Sequence, residues 1–132
     1  QVIHYCVAHG IPIIATCRGM QYINVMFGGK LWYHPRLPVA RTRGMDHQVW
    51  LVKEQRNIWV NNYHSDCIYE EGLAPCFEPL AIDRENHVVE AYGSDEMKIL
   101  ALQWHPERRF ETANAYEETR KIVLDFIQKY VK

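Results

Sequence analysis

The sequence predicts an α/β sandwich, three layers built around a mostly parallel sheet, and three observations carry that expectation. An unbroken apolar run at residues 11–16 lies between two stretches of helical spacing. Five further runs after position 46, each four to seven residues long, have strand character. An amphipathic stretch then closes the chain. Helix, buried strand, helix, several strands and helix are most simply packed as helices on both faces of one sheet.

Residues 2–9 read as the end of an amphipathic helix with Gly10 as its stop. The run Ile-Pro-Ile-Ile-Ala-Thr that follows does not alternate with polar residues. Both faces of such a strand must be covered, as in the central strands of parallel sheets. Met20, Ile23, Met26 and Phe27 then recur at helical spacing, and the pattern ends at Gly28-Gly29. Periodicity disappears between residues 30 and 46. Strands are expected at 47–53, 58–61, 77–83, 87–92 and 98–104. In the final helix Asn114 and Glu117 stand at capping-box spacing, and Tyr116, Thr119, Val123, Phe126, Ile127 and Tyr130 define one face. No repeat, linker or low-complexity tract interrupts this order, so residues 1–132 read as a single domain.

Composition excludes several classes. Hydrophobic residues make up 48% and charged residues 23%, the profile of a packed globular chain. Fifteen basic and sixteen acidic side chains leave a net charge of −1, which would not draw the chain onto nucleic acid or an anionic membrane. No apolar run is long enough to span a bilayer. Four cysteines without a Cys-x-x-Cys pair read as reduced thiols of a cytoplasmic protein. No Cys-x-x-Cys pair and no His-Glu-x-x-His motif is present, so neither a metal nor a cofactor is expected.

The chemistry concentrates at two places. Cys17 falls where the buried strand gives way to a helix, with Gly19 two residues on. A side chain on such a turn is lifted out of the sheet's carboxyl edge. The helix amino terminus stabilises a thiolate there and offers free N–H groups to a developing oxyanion. The second place is Gln103-Trp104-His105-Pro106-Glu107, at the end of the last expected strand. A carboxylate two residues after His105 can reach the far ring nitrogen and fix its tautomer. Nucleophile, base and orienting carboxylate together are the parts of covalent acyl transfer.

The segment PIIATCRGMQYINVMFGGKL resembles the nucleophile elbow of class I glutamine amidotransferases, and ALQWHPE resembles their His-x-Glu segment. The order agrees as well, over 105 − 17 = 88 residues. VNNYHSDCI, GLAP and HVVEAY look like the family's intervening segment. The resemblance therefore covers nearly the whole chain and implies the family's flavodoxin-like fold. Cys-Arg-Gly-Met-Gln is most similar to the γ-glutamyl hydrolase branch, including hydrolases of γ-glutamyl-amine conjugates. Three departures stand out. Ala15 occupies a position where many members have Gly. Asn62 and Ser65-Asp66 replace the usual Ser and His-Gln near Tyr63-His64. Members also carry strands before the elbow, with a glycine-rich turn that donates one oxyanion N–H, and nothing here corresponds to them. The chain thus reads as the carboxy-terminal catalytic part, lacking the N-terminal strands.

What the resemblance implies is a hydrolase of γ-glutamyl amide bonds with Cys17, His105 and Glu107 as its triad. Arg18 would offer a backbone oxyanion donor, and Gln21, Tyr63 and His64 would border the glutamyl group. A small γ-glutamyl substrate is the implied partner, with a homo-oligomer or a synthetase as alternatives for assembly. Two other functions remain open at this point, a glutaminase subunit that supplies ammonia to a synthetase and a non-catalytic sensor or chaperone. Lys30, Arg36, Arg41 and Arg43 precede His47 with Asp46 as the only acid among them. That cation run suggests an anionic or nucleotide-linked leaving amine.

Overall fold

The computed structural model describes residues 1–33 and 43–131. Helix α1 (Val2–Ala8) leads into strand β1 (Ile13–Thr16) and helix α2 (Arg18–Met26). Strands β2 (His47–Leu51), β3 (Arg56–Val60) and β4 (Ile68–Tyr69) follow, then a 3₁₀ turn at Glu70–Gly72. Strands β5 (Glu78–Asp83), β6 (Val88–Ser94) and β7 (Ile99–Leu102) precede the closing helix α3 (Ala115–Tyr130). The strands form one sheet in the order β1-β7-β6-β5-β2-β3, with β4 beside β6.

The expected buried strand is there. β1 pairs with β7 in parallel, Thr16 opposite Leu102. The other pairings are antiparallel, so the parallel share among the described residues is smaller than the apolar run suggested. The reason lies in the connections. Parallel neighbours need a long crossover, whereas β5, β6 and β7 follow one another through short turns closed by His87 and Lys98 at positive φ.

Alternation along the strands divides the core in two. Ile99 and Ala101 of β7 face a cluster with Ala15, Met20 and Ile23, under α1 and α2. Leu100 and Leu102 face a second cluster with Val49, Val60 and Trp104, under α3. Helices therefore cover both faces, and the three layers follow from side chains alternating across the sheet. No helix among the described residues is long and apolar enough to cross a membrane.

Two local expectations are corrected. Asn114 does sit at the head of α3, but in a left-handed conformation (φ 67°) and without a side-chain cap, so no capping box forms. Asn tolerates that conformation better than most residues, and here it turns the chain into the helix. The buried face of α3 is also rotated. Ala115 and Thr119 are buried and Ile122, Val123 and Phe126 pack on the second cluster, while Tyr116 and Ile127 are exposed. The short strand β4 and the 3₁₀ turn were not expected, because two or three residues carry no periodicity. Arg36 and Arg41 of the cation run lie outside the described residues, while Lys30 and Arg43 are exposed.

Candidate active site

The parallel pair builds the site. With Thr16 opposite Leu102, the next residues out of each strand, Cys17 and Gln103, emerge side by side at the carboxyl edge. The Cys17 N–H donates to the carbonyl of Leu102 at 2.7 Å, extending the ladder by one bond. Cys17 then turns sharply into α2 with φ 48° and ψ −108°. A non-glycine residue held there costs about 1–3 kcal/mol, which the surrounding packing must supply. A Cβ at Gly19 would meet only Ala15 Cβ, at 3.7 Å, so the described residues do not themselves demand glycine at that position.

The strain makes a prediction. Cys17→Gly should be more stable than Cys17→Ala by about 1 kcal/mol, because glycine accepts positive φ without the Cβ clash. Urea denaturation of the two variants measures the difference. Alanine proving the more stable, its usual rank over glycine, would mean the backbone is relaxed at this turn.

Electrostatics at the thiol oppose one another. Partial burial pushes the Cys17 thiol above its usual range, while the Arg18 backbone N–H, the charges of Arg108 and Arg18 and the Gln103 amide pull it back in part. Gln103 is fully buried, and its Nε2 donates towards Cys17 Sγ at 3.8 Å. Gln21 supports it from α2, donating from Nε2 to Gln103 Oε1 (3.2 Å) and to the Asp66 carbonyl (3.3 Å). Both donors of the buried Gln21 amide are thus engaged, and Oε1 is its remaining polar atom.

His105 stands two residues beyond Gln103, where the chain has left β7. Its Nδ1 lies 2.8 Å from Glu107 Oε2. A carboxylate can only accept, so the proton sits on Nδ1 and the lone pair on Nε2, the tautomer a general base requires. Burial would raise the Glu107 carboxyl, but a backbone N–H, His105 and Arg108 outweigh it and hold it below the usual range. Behind His105, buried Trp104 donates from Nε1 to Thr119 Oγ1 at 3.0 Å, tying the strand end to α3. In front, Tyr63 meets the His105 ring edge-on at 6.0 Å, and the Arg108 guanidinium lies 4.9 Å over Tyr63.

Of the expected residues, Cys17, Arg18 and Gln21 share the β1–α2 junction, and Tyr63 touches His105. His64 has different surroundings. Its ring is buried, with Nδ1 against the Asp66 carbonyl at 2.6 Å and Nε2 facing Glu90 at 3.6 Å. That geometry engages the ring inside the protein, so His64 borders the site through its backbone segment and not through a free imidazole. His47, His64 and Glu90 also bring ligand atoms within 4.8 Å of one another, a grouping invisible to short sequence spacing.

Three residues of the site were not expected from sequence. Asn61, buried, accepts from His105 N–H at 2.9 Å and donates to the His105 carbonyl at 2.8 Å. Gln103 reaches the thiol, and Arg108 bears on both Cys17 and Tyr63. The only signal in the sequence was their place, next to residues already singled out. Beside the elbow, Arg18, Gln21, Tyr22, Leu31, Tyr33 and Asp66 line most of a cleft of about 350 Å³.

Comparison with known proteins supplies a family. Residues 1–107 match the family model described as Peptidase C26. A glutamine amidotransferase-like protein of Lactococcus lactis is 31% identical over 117 residues, which is 76% of this chain and 48% of that protein. Component 2 of the aminodeoxychorismate/anthranilate synthase of Bacillus subtilis is 27% identical over 124 residues, 92% of this chain and 61% of that protein. The chain thus spans about half to three-fifths of these relatives' length. Among solved structures, a glutamine amidotransferase from Thermotoga maritima superposes with a TM-score of 0.66 at 18% identity, covering 100% of this chain and 55% of that one. At that identity the likeness carries the fold alone.

Proposed function

This chain belongs to the Peptidase C26 family, within the class I glutamine amidotransferases, and from that premise we propose that it is a cysteine hydrolase of γ-glutamyl amide bonds. The observation that supports the reading is that a strained Cys17 and a His105 whose tautomer Glu107 fixes stand at the ends of neighbouring strands. In this mechanism Cys17 Sγ attacks the γ-carbonyl while His105 Nε2 takes the thiol proton. The Arg18 backbone N–H receives the developing oxyanion. His105 returns the proton to the departing amine, leaving a glutamyl thioester. Water then attacks, with His105 again as base, and glutamate leaves. Gln21 Oε1 is the acceptor available to the substrate's α-ammonium. Residues 1–132 are the carboxy-terminal catalytic part of a single domain in this reading.

The Cys-Arg-Gly-Met-Gln elbow favours the γ-glutamyl hydrolase branch. A second reading, a glutaminase subunit feeding ammonia to a synthetase, draws on the anthranilate synthase component among the relatives. The full-length protein assayed alone separates the two. We expect turnover of γ-glutamyl conjugates to exceed that of glutamine, with anionic conjugates ahead of neutral ones. An electrophilic glutamine analogue should label Cys17 ahead of Cys6, Cys67 and Cys76. Glutamine as the sole substrate, turned over only beside a synthetase, would establish the second reading. Labelling elsewhere with Cys17 untouched would remove both.

A further inference from the structure

Three titratable side chains from separate parts of the chain converge beneath the site and take no part in the chemistry above. His47 opens β2, His64 lies between β3 and β4, and Glu90 lies in β6. Glu90 and His64 have side chains 0% and 2% exposed, and that of His47 is 13% exposed. His47 Nε2 is 3.2 Å from Glu90 Oε1, and His64 Nε2 is 3.6 Å from Glu90 Oε2. None of these four atoms makes a hydrogen bond among the described residues. A buried carboxylate facing two ring nitrogens needs a positive charge beside it, either a proton that makes a ring imidazolium or a cation between carboxylate and rings.

His64 is set to hold either charge. The Asp66 carbonyl, 2.6 Å from Nδ1, can only accept, so Nδ1 carries a proton. In the imidazolium, which the Glu90 charge favours against burial, Nε2 would carry a proton to the carboxylate. With a cation in its place the neutral ring turns the Nε2 lone pair to the same point. One ring nitrogen held by a carbonyl, with the other turned to a shared point, is the outer-shell arrangement of a metal-binding histidine. His47 adds a second Nε2 and Glu90 adds two oxygens. With one ligand atom from each residue they make a set of two imidazoles and one carboxylate, which zinc accepts with its fourth position open.

We infer that His47, His64 and Glu90 form a binding site for one zinc-class divalent cation. Binding draws the donors in to about 2.0–2.2 Å from the ion. Buried between β2, β6 and the β3–β4 segment, the ion has a structural role. It links β2 and β6 to the segment that carries Asn61 and Asp66, and those residues hold His105 and Gln21. The inference rests on this geometry and not on the catalytic reading, so either can fail without the other.

The test uses the full-length protein in a Cys17→Ser background, stripped with chelator and titrated with Co²⁺ and Zn²⁺. One Co²⁺ per chain is expected, with d–d bands of a nitrogen–oxygen tetrahedral site and a rise in Tm on adding Zn²⁺. His47→Asn, at the cluster's more exposed edge, and Glu90→Gln should each weaken binding at least about 100-fold, beyond the loss of an outer-shell partner. Circular dichroism establishes that each variant is folded, and His47→Asn alone suffices should Glu90→Gln unfold. No uptake by the folded parent would overturn the proposal and leave a proton-held ion pair. So would uptake undiminished in His47→Asn, or thiolate-to-cobalt charge-transfer bands.

Discussion

Cys17→Ala and His105→Ala should each lower kcat/KM for a γ-glutamyl substrate by at least about 10⁴-fold, because loss of either member stops covalent catalysis. Glu107→Gln should cost less. Its side chain is 61% exposed, so water can take over part of its bond to His105. A drop of about 10²–10³-fold is expected, short of the about 10⁴-fold that follows loss of a buried orienting carboxylate. The thiol offers an independent readout. Burial holds Cys17 above the usual thiol range, so without a base it remains protonated at neutral pH. In His105→Ala, alkylation of Cys17 by a neutral reagent should keep climbing as pH rises into the alkaline range, with no plateau near neutrality. Full alkylation at pH 7 in that variant, or unchanged turnover in Glu107→Gln, would remove His105 as base or Glu107 as its orienter.

Residues that act through their immediate neighbours were readable in the sequence. Cys17 was legible because an apolar run without alternation stops at it and a helical pattern starts after it. The pairing of His105 with Glu107 was legible because two residues of extended chain bring a carboxylate to a ring nitrogen. Residues that act across the fold were not readable. Asn61 reaches His105 over 44 positions and Gln21 reaches Gln103 over 82, and no local spacing encodes such contacts. The His47–His64–Glu90 grouping escaped for the same reason, since metal patterns are recognised only when ligands are close in sequence. The strand directions escaped for another. A fully covered strand reads alike whether its neighbours run parallel or antiparallel, and the burial of all four residues of β7 beside one parallel and one antiparallel partner is such a case.

Asn61 gives the second large effect, and two substitutions pull its roles apart. Its Oδ1 accepts the His105 N–H while its Nδ2 donates to the His105 carbonyl and lies 3.5 and 3.4 Å from those of Arg108 and Arg109. It therefore pins the backbone on both sides of the His105 ring as the chain leaves β7. Asn61→Ala leaves a buried donor and acceptor unpaired, a loss of about 2–4 kcal/mol in stability. It also frees His105 to drift. A displacement of about 1 Å is enough for a roughly 100-fold fall in kcat, and KM should change little because no substrate contact is removed. Asn61→Asp keeps the acceptor but turns an oxygen towards three carbonyls, burying a charge among acceptors. It should destabilise more than alanine despite its matching shape. At alkaline pH, where the thiolate forms without His105, labelling of Cys17 by a small neutral alkylator should persist in both folded variants, since the elbow is built on the other strand. Denaturant midpoints, kcat, KM and alkylation rates, measured side by side, test each step. Asn61→Ala with kcat within threefold of wild type, or Asn61→Asp the more stable of the two, would mean that His105 is positioned by Glu107 and Trp104 without the clamp.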